Sequence, residues 1–361
     1  MKTLFDKTDL NGLVLKNRFV RSATQEALAG ENGSVSEALL NTYSELAAGN
    51  VGMIIAGWAY ILPDGQGLPA MLGIQDDSLI TGYQNLTKQV HKYDSRIILQ
   101  IGYGGTQSPF NPASEVYSPS DVPELASGRI GKEMSDEDIS RLKQAFVEAA
   151  RRAKLAGFDG VQIHAAHGFL LSQFLSPYYN RRTDQYGGVI ENRARIIMEI
   201  YQAIRNEVGP EFKILAKINC ADFIEGGLEL NESLYVCEHL AKLGIDALEI
   251  SGGMGAVRLK STVQPNILST EQEGYFAKSA AEIASAVNIP VILVGGLRSL
   301  DVMNQLLNET KISYFSMCRP FLAEPDLITQ FQEQYQTKCK CISCNKCITP
   351  KGIYCTVFDK R

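Results

Sequence analysis

The chain has 361 residues, of which 45% are hydrophobic and 21% charged, with a formal net charge of −5. Those proportions describe a globular protein with apolar mass for a large core, and the acidic balance argues against a general nucleic-acid or anionic-membrane surface. No run is apolar and long enough to span a bilayer, and the N-terminal stretch lacks a signal-peptide core. The reading is therefore a cytoplasmic protein that acts on small molecules, without nucleic-acid or membrane partners; a homo-oligomer is compatible with it.

In chain order, short β-rich runs alternate with amphipathic helical segments. The runs are FVRSAT (19–24), VGMIIAG (51–57), RIILQIG (96–102), FDGVQIH (158–164), KILAKIN (213–219), IDALEIS (245–251), PVILVGG (290–296) and ISYFSMC (312–318). Most are almost continuously apolar, as parallel strands covered on both faces must be. Helix ends are marked by Ala47-Ala48 before Gly49 and by Lys242-Leu243 before Gly244. The clearest helix lies in SDEDISRLKQAFVEAARRAKLAG, where Ser135 and Asp138 predict a capping box and Gly157 a stop. Eight such β-α units in series predict a (β/α)8 TIM barrel over residues 1–336, followed by a cysteine-rich tail over 337–361. A doubly wound open sheet is the alternative, weakened because no G-x-G-x-x-G turn follows the first strand. Longer segments follow the third strand (103–134), the fourth (165–190) and the sixth (252–270). All leave the carboxyl ends of strands, the face where barrel enzymes keep their chemistry.

The fourth run leads into IHAAHGFLLSQFLSPYYNRRTDQYGG (163–188), which holds two of the four histidines, His164 and His167. Side by side and neutral, two imidazoles offer two N–H donors to one oxygen or small anion. Such a pair polarises a carbonyl without needing a proton of its own. The other readings are a satisfied structural pair or half of a zinc site. Zinc needs at least a third ligand, and this turn holds no acid or cysteine. Further on, the seventh run ends in Gly295-Gly296 and the eighth in Cys318-Arg319. Barrels bind phosphate between these two loops, using bare glycine N–H groups, and an arginine adds a forked cation. A tight turn is the plainer reading of the glycines alone.

Over roughly residues 4–335 these segments, the 163–188 motif above all, resemble the old yellow enzyme group of FMN-dependent NAD(P)H:flavin oxidoreductases. The resemblance implies non-covalent FMN, NAD(P)H as hydride donor, and an α,β-unsaturated carbonyl or related acceptor gripped by His164 and His167. It implies a phosphate site at Gly295, Gly296, Cys318 and Arg319, and a flavin lined by the backbone of Ser22, Ala23, Thr24 and Gln25. Trp58 would contact the ring edge, Gln100 would pair with the pyrimidine amide, and Lys217 would stabilise negative charge near N1 and O2. Taken singly, Gln100 also reads as a satisfied core residue and Lys217 as an ion-paired one. In a flavin-free lyase or aldolase, Lys217 would instead be the Schiff-base lysine.

The chain departs from that pattern at three places. Phe169 stands where the family usually has a tyrosine that protonates the substrate, and it has no proton to give. The third strand continues as Gln100-Ile101-Gly102-Tyr103 rather than with histidine and arginine, which makes Tyr103 a candidate donor from the opposite side. Gln25 replaces the usual threonine or cysteine near the flavin.

Five of the eight cysteines crowd into the last 23 residues. Cys341, Cys344 and Cys347 form C-x-x-C-x-x-C, with Cys355 beyond, a pattern known for iron–sulfur clusters and also suited to zinc. It resembles the cluster segment of 2,4-dienoyl-CoA reductase, 2-enoate reductase and trimethylamine dehydrogenase, with a shorter gap before the last cysteine. A 4Fe–4S cluster, zinc and unmetallated thiols all stay open. With a cluster, the alternative function is an electron-transfer component serving a partner protein.

Overall fold

The computed structural model describes residues 1–108, 115–255, 262–349 and 352–358. Eight parallel strands close into a barrel: β1 (Phe19–Arg21), β2 (Met53–Tyr60), β3 (Arg96–Gly102), β4 (Gly160–Ala165), β5 (Lys213–Asn219), β6 (Ala247–Ser251), β7 (Val291–Val294) and β8 (Tyr314–Met317). They pair in sequence order, and β8 pairs back to β1. The expected (β/α)8 barrel is what forms, and each of the eight strands overlaps the run that predicts it.

The helix boundaries follow the local chemistry. Glu37–Ala48 (α1) begins where Leu39 N–H donates to Ser36 Oγ. Helix α2 is Ile80–His91, and α3, Asp136–Leu155, opens with the full Ser135–Asp138 capping box. Gly157 follows α3 at φ +81°, a left-handed conformation that glycine adopts without steric cost. Among the described residues no helix is long and apolar enough to cross a membrane.

The lower barrel is apolar and plugged. An N-terminal hairpin, Thr8–Leu10 paired with Leu13–Leu15, places Leu10, Leu13 and Leu15 against Val20, Met53, Ile98, Leu215 and Tyr314. Each such side chain contributes about 1.5–3 kcal/mol on burial. The interior near the carboxyl ends is polar instead. Register puts Gln100 opposite Gln162, and sets His164, Lys217 and Glu249 side by side across β4, β5 and β6. Polar groups therefore sit where the strands open into their long loops.

Two of those loops contain more structure than the sequence suggests. A helix, Leu170–Leu175, lies within the 165–190 stretch, and short strands at Tyr117–Ser118 and Lys132–Glu133 pair within the segment after β3. Residues 109–114 and 256–261 of the long loops, and 350, 351 and 359–361 of the tail, lie outside the described residues. The tail packs on the barrel. Cys339 N–H donates to Arg298 O, Asn266 N–H to Ser343 O, and Ile353 N–H to Glu26 O. Cys339 and Cys341 also join the main apolar core.

Candidate active site

At the carboxyl end of the barrel lies a cavity of about 360 Å³, within the range of small-molecule sites. Its wall includes Ser22, Ala23, Thr24, His167, Lys217, Gly295, Gly296, Cys318 and Arg319, all expected at the site. Gly295 and Gly296 take φ values of +131° and +70°. A Cβ on either would come within 2.9 Å or 2.8 Å of the Tyr275 ring, so this wall must be bare backbone. Arg319 Nη1 donates to Gln264 O at 3.0 Å and to Asn345 Oδ1.

The deeper wall is a charged network. Lys217 Nζ donates to Ser22 Oγ at 2.8 Å and lies 3.4 Å from Glu249 Oε2. Glu249, fully buried, also accepts from Ser22 Oγ at 2.7 Å, Gln162 Nε2 at 2.9 Å and Ser316 Oγ at 2.8 Å. Burial alone would raise its carboxyl, but the Lys217 charge and these three donors outweigh it and hold the group below the usual range. Gln100 Nε2 donates to Gln162 Oε1 at 2.8 Å, which connects it to the same network. The plainer readings thus describe the bonds that Gln100 and Lys217 make, while Lys217 also reaches the cavity.

The two histidine rings lie 5.3 Å apart at 81°. Burial and the nearby Lys217 charge push His164 down to about 3. Burial, Lys217 and His164 hold His167 well below the ordinary value. Both are neutral at physiological pH. His167 adopts φ +67°, a conformation that costs a non-glycine residue roughly 1–2 kcal/mol. It is held there by Asn219 Oδ1, which accepts from its N–H at 3.1 Å, and by Gln107 Nε2, which donates to its carbonyl at 2.6 Å. Its Nε2 lies 2.7 Å from Ser251 Oγ. His164 Nδ1 and Trp58 Nε1 are buried without a hydrogen-bond partner among the described residues. An unpaired buried polar atom costs about 1–3 kcal/mol, and a polar ligand would satisfy these two. The glycine wall, Arg319 and the Lys217 ammonium fit the phosphate and ring of FMN.

Trp58, Phe169 and His164 pack together, with ring centroids 4.4 Å apart for Trp58–Phe169 and 5.0 Å for His164–Phe169. Phe169 is thus beside the histidines, as its sequence position implies. Tyr103 is not on the cavity wall. Its ring lies against Gly65, and burial followed by the Asp64 charge raises its phenol well above the ordinary range. Its hydroxyl is buried without a hydrogen-bond partner among the described residues. Gln25 borders a smaller neighbouring pocket with Trp58.

Sequence reasoning missed Glu249, Gln162 and Ser251. A signal for the first two was present, since each is a polar residue flanked on both sides by aliphatic ones within a strand run.

The tail supplies another wall through Ser343, Asn345, Cys347, Ile348 and Ile353. Burial, with smaller contributions from Cys341, Cys355 and Cys344, pushes the Cys347 thiol up to about 11. Among the described residues no three His, Cys, Asp or Glu side chains are grouped so as to hold a metal ion. Cys341, Cys344 and Cys355 lie near Cys347 in this structure.

The profile of the NADH:flavin oxidoreductase / NADH oxidase family matches residues 3–338. A relative described as NADH oxidase, from Thermoanaerobacter brockii, is 34% identical over 95% of this chain and 52% of its own length. An NADPH dehydrogenase from Bacillus licheniformis is 31% identical over 93% of this chain and 96% of its own. The structure of an old yellow enzyme homologue from Zymomonas mobilis superposes with a TM-score of 0.82 at 25% identity, covering 99% of both chains. The chain spans about half the length of some relatives, the NADH oxidase among them.

Proposed function

The chain belongs to the NADH:flavin oxidoreductase / NADH oxidase family, and from that premise we propose that it is an FMN-dependent enzyme that takes hydride from NAD(P)H and passes it to an α,β-unsaturated carbonyl or related small acceptor. The observation that carries the acceptor class is the pair of neutral imidazoles at 5.3 Å, one of them lining the cavity and the other with a buried, unpartnered nitrogen.

FMN, when bound, supplies the hydride relay between nicotinamide and acceptor. Gly295 and Gly296 would hold its phosphate with backbone N–H groups, and Arg319 with its guanidinium. The Ser22–Thr24 backbone would line the ring, and Lys217 would place positive charge against its electron-rich edge. His164 and His167 would donate to the acceptor oxygen and draw charge from the alkene, with His167 exchanging its Ser251 contact for that oxygen. Trp58 and Phe169 would exclude water around the histidines.

The test is anaerobic stopped-flow mixing of NADPH-reduced protein with 2-cyclohexenone. Reoxidation that saturates with enone is expected. If neither enones nor quinones reoxidise the protein while a one-electron protein acceptor does, the electron-transfer alternative takes its place.

The tail enters this reading through Asn345, which ties Arg319 to the loop after β6 by donating to Val263 O. Asn345→Ala should speed FMN release by about tenfold, as a hydrogen bond to a charged group contributes roughly 1.5–3 kcal/mol. Recovery of flavin fluorescence on dilution reads the rate. An unchanged rate would mean that Arg319 needs no support from the tail.

A further inference from the structure

Glu249 is an expensive residue to place. It is fully buried on β6, where a carboxylate is tolerated only if counter-charge and hydrogen bonds replace the water it gives up. This one has both. Lys217 on β5 lies 3.4 Å away, and Ser22, just past β1, Gln162 on β4 and Ser316 on β8 donate. Three strands besides β6 and the residue after β1 therefore converge on one carboxylate, and its ion partner is a lysine on the cavity wall.

A leucine or methionine here would fill similar space without desolvating a carboxylate. The carboxylate's distinctive effect is on Lys217. Ser22 Oγ accepts from Lys217 and donates to Glu249, so the ammonium is held from two sides.

We propose that Glu249 is the counter-charge that fixes the Lys217 ammonium at the cavity wall and thereby sets the reduction potential of bound FMN. Glu249 is a positioning residue, acting through Lys217. The inference rests on the FMN reading above.

A bare ammonium in a low-dielectric wall favours an electron-rich ligand strongly, but only while it keeps its proton. With the carboxylate beside it, the field at the wall is weaker and the ammonium is held in one position. The other titratable groups facing Lys217 are His164, its register partner on β4, and His167 beyond it. Both are neutral at pH 6 and above, so neither can replace the missing negative charge.

The experiment is the midpoint potential of bound FMN between pH 6 and 9, measured against reference dyes in wild type, Glu249→Gln and Glu249→Asp. Glu249→Gln removes a negative charge beside Lys217 and is expected to give a more positive midpoint than wild type. Glu249→Asp keeps a carboxylate but withdraws it by one methylene from Lys217, so its midpoint should lie between those of wild type and Glu249→Gln. It also provides the reading if the glutamine variant fails to fold: a midpoint displaced toward positive values then supports the proposal, and a wild-type midpoint overturns it. Glu249→Gln that folds, binds FMN and matches wild type at every pH overturns it as well. Wild-type protein that binds no FMN would overturn the functional reading itself, an outcome visible before any variant is made.

Discussion

The double variant His164→Ala/His167→Ala should retain FMN and lose acceptor chemistry. Neither imidazole is among the groups assigned to phosphate or ring binding, so the flavin-to-protein ratio should stay at the wild-type value. The rate of reoxidation by 2-cyclohexenone should fall by about 10²–10³-fold or more, the cost of losing one preorganised donor to a developing oxyanion. Binding of a phenol such as 4-hydroxybenzaldehyde, which presents its oxygen as an enone does, should be abolished. A double variant that binds the phenol like wild type would make the pair structural.

The same pair dictates a pH dependence. Both histidines are depressed below the unfolded value of about 6.5. The unfolded chain therefore takes up protons that the folded chain refuses, and folding is favoured most fully above that value. This contribution is lost as pH falls from about 6.5 toward the His164 value of about 3. Phenol binding should accordingly show no histidine titration between pH 6 and 8. Titration of the His164 or His167 imidazole there by NMR would contradict the neutral-pair account.

Phe169→Tyr is the second large effect, and it should be a gain. The Phe169 ring is 5.0 Å from His164 and 4.4 Å from Trp58, so a hydroxyl added to it enters the cluster around the histidines. Phenylalanine cannot protonate the substrate carbon, which leaves solvent as the donor and makes weakly activated alkenes slow. A well-placed general acid contributes about 10²–10⁴-fold, so even imperfect placement should accelerate enone reoxidation measurably. Tyr103→Phe should change little, because that phenol is absent from the cavity wall. A loss in Tyr103→Phe without a gain in Phe169→Tyr would return the acid to β3. No change in either would show that protonation does not limit the reaction.

The barrel was legible because buried parallel strands write themselves as apolar runs, and because Ser135, Asp138, Gly157 and Gly244 mark helix ends by local chemistry. The N-terminal hairpin was not, since its three-residue strands carry too few residues for a periodicity. Leu170–Leu175 was hidden for a different reason: Phe169 precedes it without a side-chain cap. In the site, Gly295, Gly296 and Arg319 could be placed from strand ends, and Lys217 from the family resemblance. The importance of Glu249 depends on Ser22, 227 positions away in the chain, and only barrel closure brings the two together. Tyr103 shows the converse limit. Its position past a strand end is fixed by sequence, but the packing of its ring against Gly65 is set by the neighbouring loop.

The central claim is that this cavity holds FMN and that NAD(P)H reduces it. The visible spectrum of anaerobic protein, purified with FMN present and titrated with NADPH, tests it most directly. The account predicts a flavin spectrum that bleaches in proportion to added NADPH, and release of FMN rather than FAD on denaturation. Colourless protein after reconstitution, or a bound flavin that NADPH and NADH both leave oxidised, would contradict it.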